Sequence, residues 1–574
     1  MRPRPVLAAL AALVLLAAGC HGDKGSGGGT AAPAPVARPS EILITIESMA
    51  PRRITPFGGT IAMPKLAELA ATGTIFEDAV SCTTLARPAL VTIMTGVATD
   101  RSGVRDNIHD ALPADLSSLA ERAKAAGFET AAFVSTPFAS YASGLQRGFD
   151  LFDGPEAVVV GPVQHNPPVT SADKVAAHFG EWLASRDASK PYFVWIHLAD
   201  LSGASVPLDL QKVKMQGAPD TDFPLYDGKL AVVDAAIGAV RDAVGKSGGT
   251  PSWTIVGTQG TYLGEGGRFG EAFWLADETL RVPLVRIEPA GAGGKKDSRP
   301  TWLPDVAATL AQDLHVALDS RAEGVPLATA PPHDRVRFAW NYAVDDELGW
   351  PPEVATREGG QFKVGSAGAA ARPAVARARN LPPAAREAIA HAGLTVGKDY
   401  VPVAAGGSSE AFLRNLQLVR RFLNVNRPKL AARHSRDMLQ QSPDALAALI
   451  TRAFFFSSAP GGEGPAILDK FLKLYPNRSD ALHWAAHLEL VQKRYEQAAA
   501  LLDAAIAVGP VEPEMHYDLA CVRSSRGDVA GALAALDHAL GAGYRNWDWI
   551  DKDPDLAAVR ADRGFPALLR THGR

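Results

Sequence analysis

Five consecutive residues, Ile42-Leu43-Ile44-Thr45-Ile46, are apolar or β-branched and carry neither charge nor alternation. A strand of that kind is buried on both faces, which requires a parallel sheet with helices packed above and below it. The chain then repeats the demand. Amphipathic stretches at 63–72 and 116–126 precede an apolar run at 130–134; a helical stretch at 172–185 precedes 192–196; another at 230–244 precedes 253–256. This alternation predicts an α/β fold with a mostly parallel central sheet and helices on both faces.

With 574 residues, 47% of them hydrophobic and 21% charged, the chain has material for two or three full cores. A net charge of −4 points to neither nucleic acid nor an acidic substrate. Three cysteines, Cys20, Cys82 and Cys521, are too few for a disulfide framework and too widely spaced for a zinc motif. The last two read as buried small hydrophobes. Arg2 and Arg4 precede an apolar run at 6–18 that ends in Leu16-Ala17-Ala18-Gly19-Cys20. The run is shorter than the ~20 residues of a spanning helix and has the layout of a secretory signal. Its end resembles the bacterial lipobox, which implies lipidation of Cys20, a membrane partner through that anchor, and a place in the bacterial cell envelope. Residues 1–20 are therefore expected to be a lipoprotein signal peptide. Residues 21–40, rich in Gly, Ala, Pro and Ser, are expected to be a flexible linker.

Residues 41–327 hold the alternating pattern. Residues 328–405 are dense in Pro, Gly and Ala with weak periodicity, and read as a degenerate subdomain or linker. Residues 406–574 are Ala/Leu-rich and helical. There Ala486, Ala498, Leu502 and Ala505 recur 34 residues on as Ala520, Ala532, Leu536 and Ala539, and Leu468 and Pro476 anticipate Leu502 and Pro510 by the same step. This period resembles tetratricopeptide repeats, an all-α array that implies a protein or peptide partner.

Several ordered segments of residues 41–327 carry a second resemblance. They are Leu43-Ile44-Thr45-Ile46-Glu47, the stretch from Pro88 to Gly96, Gly103-Val104-Arg105-Asp106-Asn107, Tyr226-Asp227-Gly228-Lys229-Leu230 with Val233-Asp234, Gly264-Glu265, and Asp277-Glu278-Thr279-Leu280-Arg281-Val282-Pro283-Leu284. Together they resemble the sulfatase branch of the alkaline phosphatase superfamily, which implies an alkaline-phosphatase-like sandwich. The family attacks sulfate or phosphate esters with a Ser, Thr or formylglycine beside a divalent metal such as calcium, zinc or magnesium.

Placed on the family's motifs, the chemical positions are altered. Two anchors, Pro88 and Gly96, put the nucleophile at Ala86, and the basic residue after that proline is Leu90. The first metal carboxylate is Glu47, followed by Ser48 and Met49, with Arg52 where another Asp is common. Thr258 and Gln259 replace an Asp-His pair, Ser202 stands where a His is expected, and Glu271 lies near the place of the last His. Such a set is too poor in anionic and imidazole donors to offset the dehydration of a dication, so no metal cofactor is expected.

The polar groups that remain, Glu47, Arg87, Asp200 and Gln259, form a candidate pocket. Glu47 is expected to pair with Arg52 or Arg87, Asp200 to cap a loop, and Arg87 is a candidate to hold an oxyanion. The resulting expectation is a sulfatase-like pseudoenzyme, a binding or scaffolding body whose repeats recruit a partner. The alternative is an ester hydrolase with a rebuilt centre.

Overall fold

Strand β1 (Glu41–Ile46) has all six residues buried and lies inside an eight-stranded sheet. The other strands are β2 (Thr74–Phe76), β3 (Glu129–Val134), β4 (Leu151–Asp153), β5 (Tyr192–Leu198), β6 (Ser252–Gly257), β7 (Leu284–Ile287) and β8 (Lys295–Asp297). Their spatial order is β8-β2-β7-β6-β1-β5-β3-β4. β1 pairs in parallel with β5 and β6, and β3 with β4 and β5. Only β7 runs against its neighbours β6 and β2. The mostly parallel sheet is thus as the alternation predicts.

The computed structural model describes residues 40–574 except 109, 141–142, 156–168, 204–222, 290, 292, 333, 359, 367–380, 398–408, 425–426, 457–462, 510, 512, 543, 545 and 574. The expected signal peptide with Cys20, the expected linker up to residue 39, and Pro510 lie outside the described residues.

Successive side chains of β1 feed opposite cores. Ile42, Ile44 and Ile46 pack with Leu66 of α1 (Pro64–Ala70) and, further along the chain, with Phe179 and Val233. Leu43 faces Leu90 and Met94 of α2 (Ala86–Thr95) and Leu119 of α3 (Leu119–Ala125). Phe179 belongs to α4 (Ala172–Ser185), Val233 to α5 (Pro224–Ser247), and α6 (Pro304–Asp313) adds Val306 and Leu310 to the Leu43 side. Each fully buried aliphatic side chain contributes ~1.5–3 kcal/mol relative to exposure, which is why an uncharged, unalternating strand is tolerated only here. The sheet's carboxyl edge, where open α/β sheets place ligands, carries Glu47, His197 and Thr258 on three adjacent strands.

Within 328–405 the described residues form a subdomain rather than a linker. Strands β9 (Arg337–Asn341), β10 (Glu353–Glu358) and β11 (Gln361–Ser366) make an antiparallel sheet, with α7 (Ala343–Leu348) between the first two and α8 (Pro383–His391) after them. Periodicity is weak because two buried positions are arginines, not apolar residues. Arg337 and Arg357 lie 2.6 and 3.2 Å from Asp78, and Arg357 also pairs with Asp277.

The rest is helical: α9 (Ser409–Asn424), α10 (Pro428–Gln441), α11 (Leu446–Phe456), α12 (Gly464–Leu474), α13 (Ser479–Val491), α14 (Tyr495–Val508), α15 (Pro513–Ser525) and α16 (Val529–Gly541). α13 and α15 begin and end 34 residues apart, and α14 and α16 begin 34 apart. Ala486, Ala498, Leu502 and Ala505, with Ala520, Ala532, Leu536 and Ala539, are all wholly buried. Small side chains at those positions let paired helices approach closely, which is the physical content of the period. These helices and the α/β body belong to one compact unit. Among the described residues no helix is long and apolar enough to cross a membrane.

Candidate functional site

The parallel register places Thr45 beside His197, so the side chains at the ends of β1 and β5 meet. Trp195 Nε1 donates to Thr45 Oγ1 at 2.8 Å, Thr45 Oγ1 lies 2.7 Å from His197 Nδ1, and His197 Nε2 lies 3.0 Å from Glu47 Oε1. A carboxylate only accepts, so Nε2 carries the proton that joins the ring to Glu47. Thr45, Glu47 and His197 are all buried, and the chain of bonds leaves them mutually satisfied. Glu47 therefore pairs with His197, not with Arg52 or Arg87 as its sequence neighbourhood suggests.

The turn after β1 is tight. Ser48 has φ of 54°, a left-handed backbone that costs a non-glycine residue about 1–2 kcal/mol. Tyr226 holds it in place: its hydroxyl donates to the Ser48 carbonyl at 2.8 Å and accepts the Ala50 N–H at 2.9 Å. On the next strand, Thr258 N–H donates to the Ile46 carbonyl at 2.9 Å, Thr258 Oγ1 donates to Gln259 Oε1, and Gln259 Nε2 reaches Ser48 Oγ at 3.5 Å. Thr261 Oγ1 donates to Glu271 Oε2 at 3.2 Å. Burial, and then repulsion from the Glu47 carboxylate, pushes Glu271 up to about 7, although Ser48 and Thr261 hydrogen-bond to it.

Arg52 turns away from Glu47. Its Nε donates to Glu265 at 2.8 Å and its Nη2 to the Thr261 carbonyl at 2.9 Å. Arg53 grips Asp227 with two bonds of 3.0 and 2.7 Å. Arg87 is buried and donates to the main-chain carbonyls of Phe138, Ile108 and Asp110, each at 2.7 Å. Burial lowers its pKa to about 10. Through Nε and Nη1 it clamps the segments around Ile108 and Phe138, and those donors are spent on main-chain carbonyls. Asp200 Oδ2 accepts the Ala172 N–H at the start of α4 at 3.0 Å, with Lys229 at 3.7 Å, and burial raises its pKa. That is the capping role expected. Of the candidate pocket, Glu47 and Gln259 share the turn around Ser48, while Arg87 and Asp200 bind elsewhere.

Residues 39–316 match the sulfatase family model. This segment is a sulfatase domain. Among solved structures, the chain is similar to a phosphonate monoester hydrolase of Agrobacterium radiobacter, with 18% identity over 58% of this chain and 88% of that one and a TM-score of 0.47. It is similar also to a protein solved with its substrate D-glucosamine-2-N,6-O-disulfate, at 16% identity over 58% and 92% and a TM-score of 0.47. A phosphonate monoester hydrolase from Silicibacter pomeroyi gives 16% over 57% and 87%, with a TM-score of 0.44. Among curated proteins, 80 residues are 32% identical to a chloroplastic protein of Arabidopsis thaliana, covering 13% of this chain. The match spans 24% of that relative's length.

Ala86, where the motif spacing puts the nucleophile, opens α2 and is 1% exposed. The neighbouring nucleophile types are engaged otherwise. Thr84 Oγ1 donates to the Ala272 carbonyl at 2.8 Å, and Cys82 Sγ lies 3.3 Å from Thr92 Oγ1. Burial pushes the Cys82 thiol up to about 12, far from a reactive thiolate. Leu90, where the motif spacing puts a basic residue, is wholly buried in the core.

The donors present do not fit the family's dication. Glu47 is bonded to a histidine, the Thr258 hydroxyl is turned onto Gln259, and the Gln259 amide oxygen is its acceptor. Among the described residues no three His, Cys, Asp or Glu side chains are grouped so as to hold a metal ion. Ser48 and Tyr226 stand in the family-like segments and His197 in the strand-end run, but the motif spacing assigns none of the three a role at this site. Their signal is the register of β1 on β5 and the reach of α5, neither of which is local in sequence.

Proposed function

We propose that this protein is a surface-tethered sulfatase-like pseudoenzyme: a non-catalytic binding or scaffolding body whose tetratricopeptide-type repeats in 406–574 recruit a protein or peptide partner. Lipidation at Cys20 ties it to a membrane of the bacterial envelope, through the 21–40 linker. The supporting observation is at Ala86. A methyl group stands where the motif spacing puts the nucleophile, and the altered ligand positions are engaged elsewhere, Glu47 with His197 and Thr258 with Gln259. An ester cannot be attacked without a nucleophile and something to offset the developing charge.

The test is a purified chain lacking residues 1–20, assayed for bound metal and for turnover of aryl sulfate, phosphate and phosphonate esters. Background rates and substoichiometric metal are expected. Stoichiometric metal together with turnover abolished by Glu47→Ala overturns the reading.

One observation favours a second reading, a hydrolase with a rebuilt centre. Glu271, lifted to about 7, hydrogen-bonds to Ser48, whose backbone is strained. That pairing puts a carboxyl able to act as a base near neutral pH beside a hydroxyl. Ester turnover that Ser48→Ala removes decides for it.

A further inference from the structure

The first repeat helix, α9, is seated on the sulfatase domain beside its altered site. Gln417 Nε2 donates to the main-chain carbonyl of Glu271 at 3.3 Å. The same segment reaches the start of α2, because the next carbonyl, that of Ala272, accepts Thr84 Oγ1 at 2.8 Å. The helix thus stands one main-chain layer from Glu271, Ser48 and the Ala86 position. Two ion pairs fix it at either end: Arg268 Nε donates to Glu410 at 3.0 Å, and Arg420 lies 2.6 Å from Glu347. Between them Phe412, Leu413 and Leu416 share one buried cluster with Leu85, Phe273 and Trp274. Phe412 packs on Trp350 at 5.6 Å, and the Arg420 guanidinium lies over the Phe273 ring at 5.4 Å.

We propose that α9 is a built-in cover, which holds the sulfatase-domain site shut to solutes and must lift before any ligand reaches the residues around Ala86 and Ser48. A wholly buried phenylalanine and two leucines make the seam a core, and they give α9 an apolar face that an isolated repeat array would leave in water. The ion pairs set its register over the 262–274 segment. The inference adds to the pseudoenzyme reading a reason for fusing repeats to this domain: whatever the repeats bind acts on the helix that closes the site.

The test is amide hydrogen exchange on the full chain. Reversing both ion pairs, with Glu410→Arg and Arg420→Glu, is expected to speed exchange in 84–90 and 258–274 by about tenfold, while β5 and α15 stay as protected as before. Adding Arg268→Glu and Glu347→Arg restores the attractions and the protection. Unchanged exchange in a folded reversed variant, or failure of the swap to restore it, overturns the cover. Should the reversed chain not fold, the unaltered protein decides. In low denaturant, α9 and the 84–90 and 258–274 segments are expected to open with one common denaturant dependence, and separate openings sink the idea. Exchange reads the cover, whereas metal and turnover read the loss of chemistry, so either can fail alone.

Discussion

His197 Nε2 and Glu47 Oε1 stand 3.0 Å apart where no solvent reaches either group. A buried carboxylate with its partner removed retains its desolvation penalty and loses the compensation, which costs about 3–5 kcal/mol. His197→Ala is expected to destabilise the chain by that amount. Glu47→Gln keeps a hydrogen-bonding group of the same shape and costs about 1 kcal/mol. Urea unfolding of the two variants measures the difference, and equal losses contradict the pairing.

Glu271 gives the stability a pH dependence of definite sign. Its ordinary value is 4.5 and its folded value about 7, so the folded chain holds its proton more tightly than the unfolded one. The stability it contributes is full below 4.5 and is lost as pH rises through 7. Glu271→Gln removes that loss, and its stability relative to the parent is expected to rise by on the order of 3 kcal/mol between about pH 4.5 and 8. Glu41, also lifted to about 7 by burial, is unchanged in both proteins and cancels. Parallel stability curves for parent and variant across that range rule the effect out.

The sheet was readable because its information is local: a strand buried on both faces must be apolar throughout, as β1, β5 and β6 are. The motif anchors likewise picked out Glu47 and Thr258, which follow two adjacent strands of the sheet. What they could not give was the partner of each polar group. Arg52 and Arg87 are near Glu47 or Ala86 in sequence, yet their bonds go to Glu265 and to loops at 108–110 and 138. The strands of 337–366 were hidden for a related reason, since their inward positions include arginines neutralised by Asp78 and Asp277 from distant segments.

Restoring the hydroxyl alone should not restore the chemistry. On the proposed reading, Ala86→Ser puts an oxygen at the start of α2, but Leu90 supplies no charge, and Glu47, Thr258 and Gln259 are engaged with His197 and one another rather than arranged to lower the hydroxyl's pKa. Turnover of aryl sulfate and phosphonate esters by this variant is expected to equal the uncatalysed rate. A rate above it that depends on the new hydroxyl shows that the remaining groups suffice.

Gly349 ties the α/β body to the repeats by having no side chain. It ends α7 with φ of 73°, and a Cβ there would come within 2.5 Å of the Tyr475 ring. Tyr475 cannot swing aside, because its hydroxyl donates to the Asp444 carbonyl at 2.6 Å. Nearby, Arg478 donates to the main-chain carbonyls of Asp345 and Asp346 in α7. Gly349→Ala combines left-handed strain with a clash against a fixed ring and is expected to cost about 3 kcal/mol. Adding Tyr475→Leu removes the rigid ring and its hydroxyl bond, so the glycine substitution should cost only the ~1–2 kcal/mol of backbone strain in that background. A double-mutant cycle measured by denaturant unfolding reads the coupling, and additive losses mean that Gly349 and Tyr475 do not constrain each other.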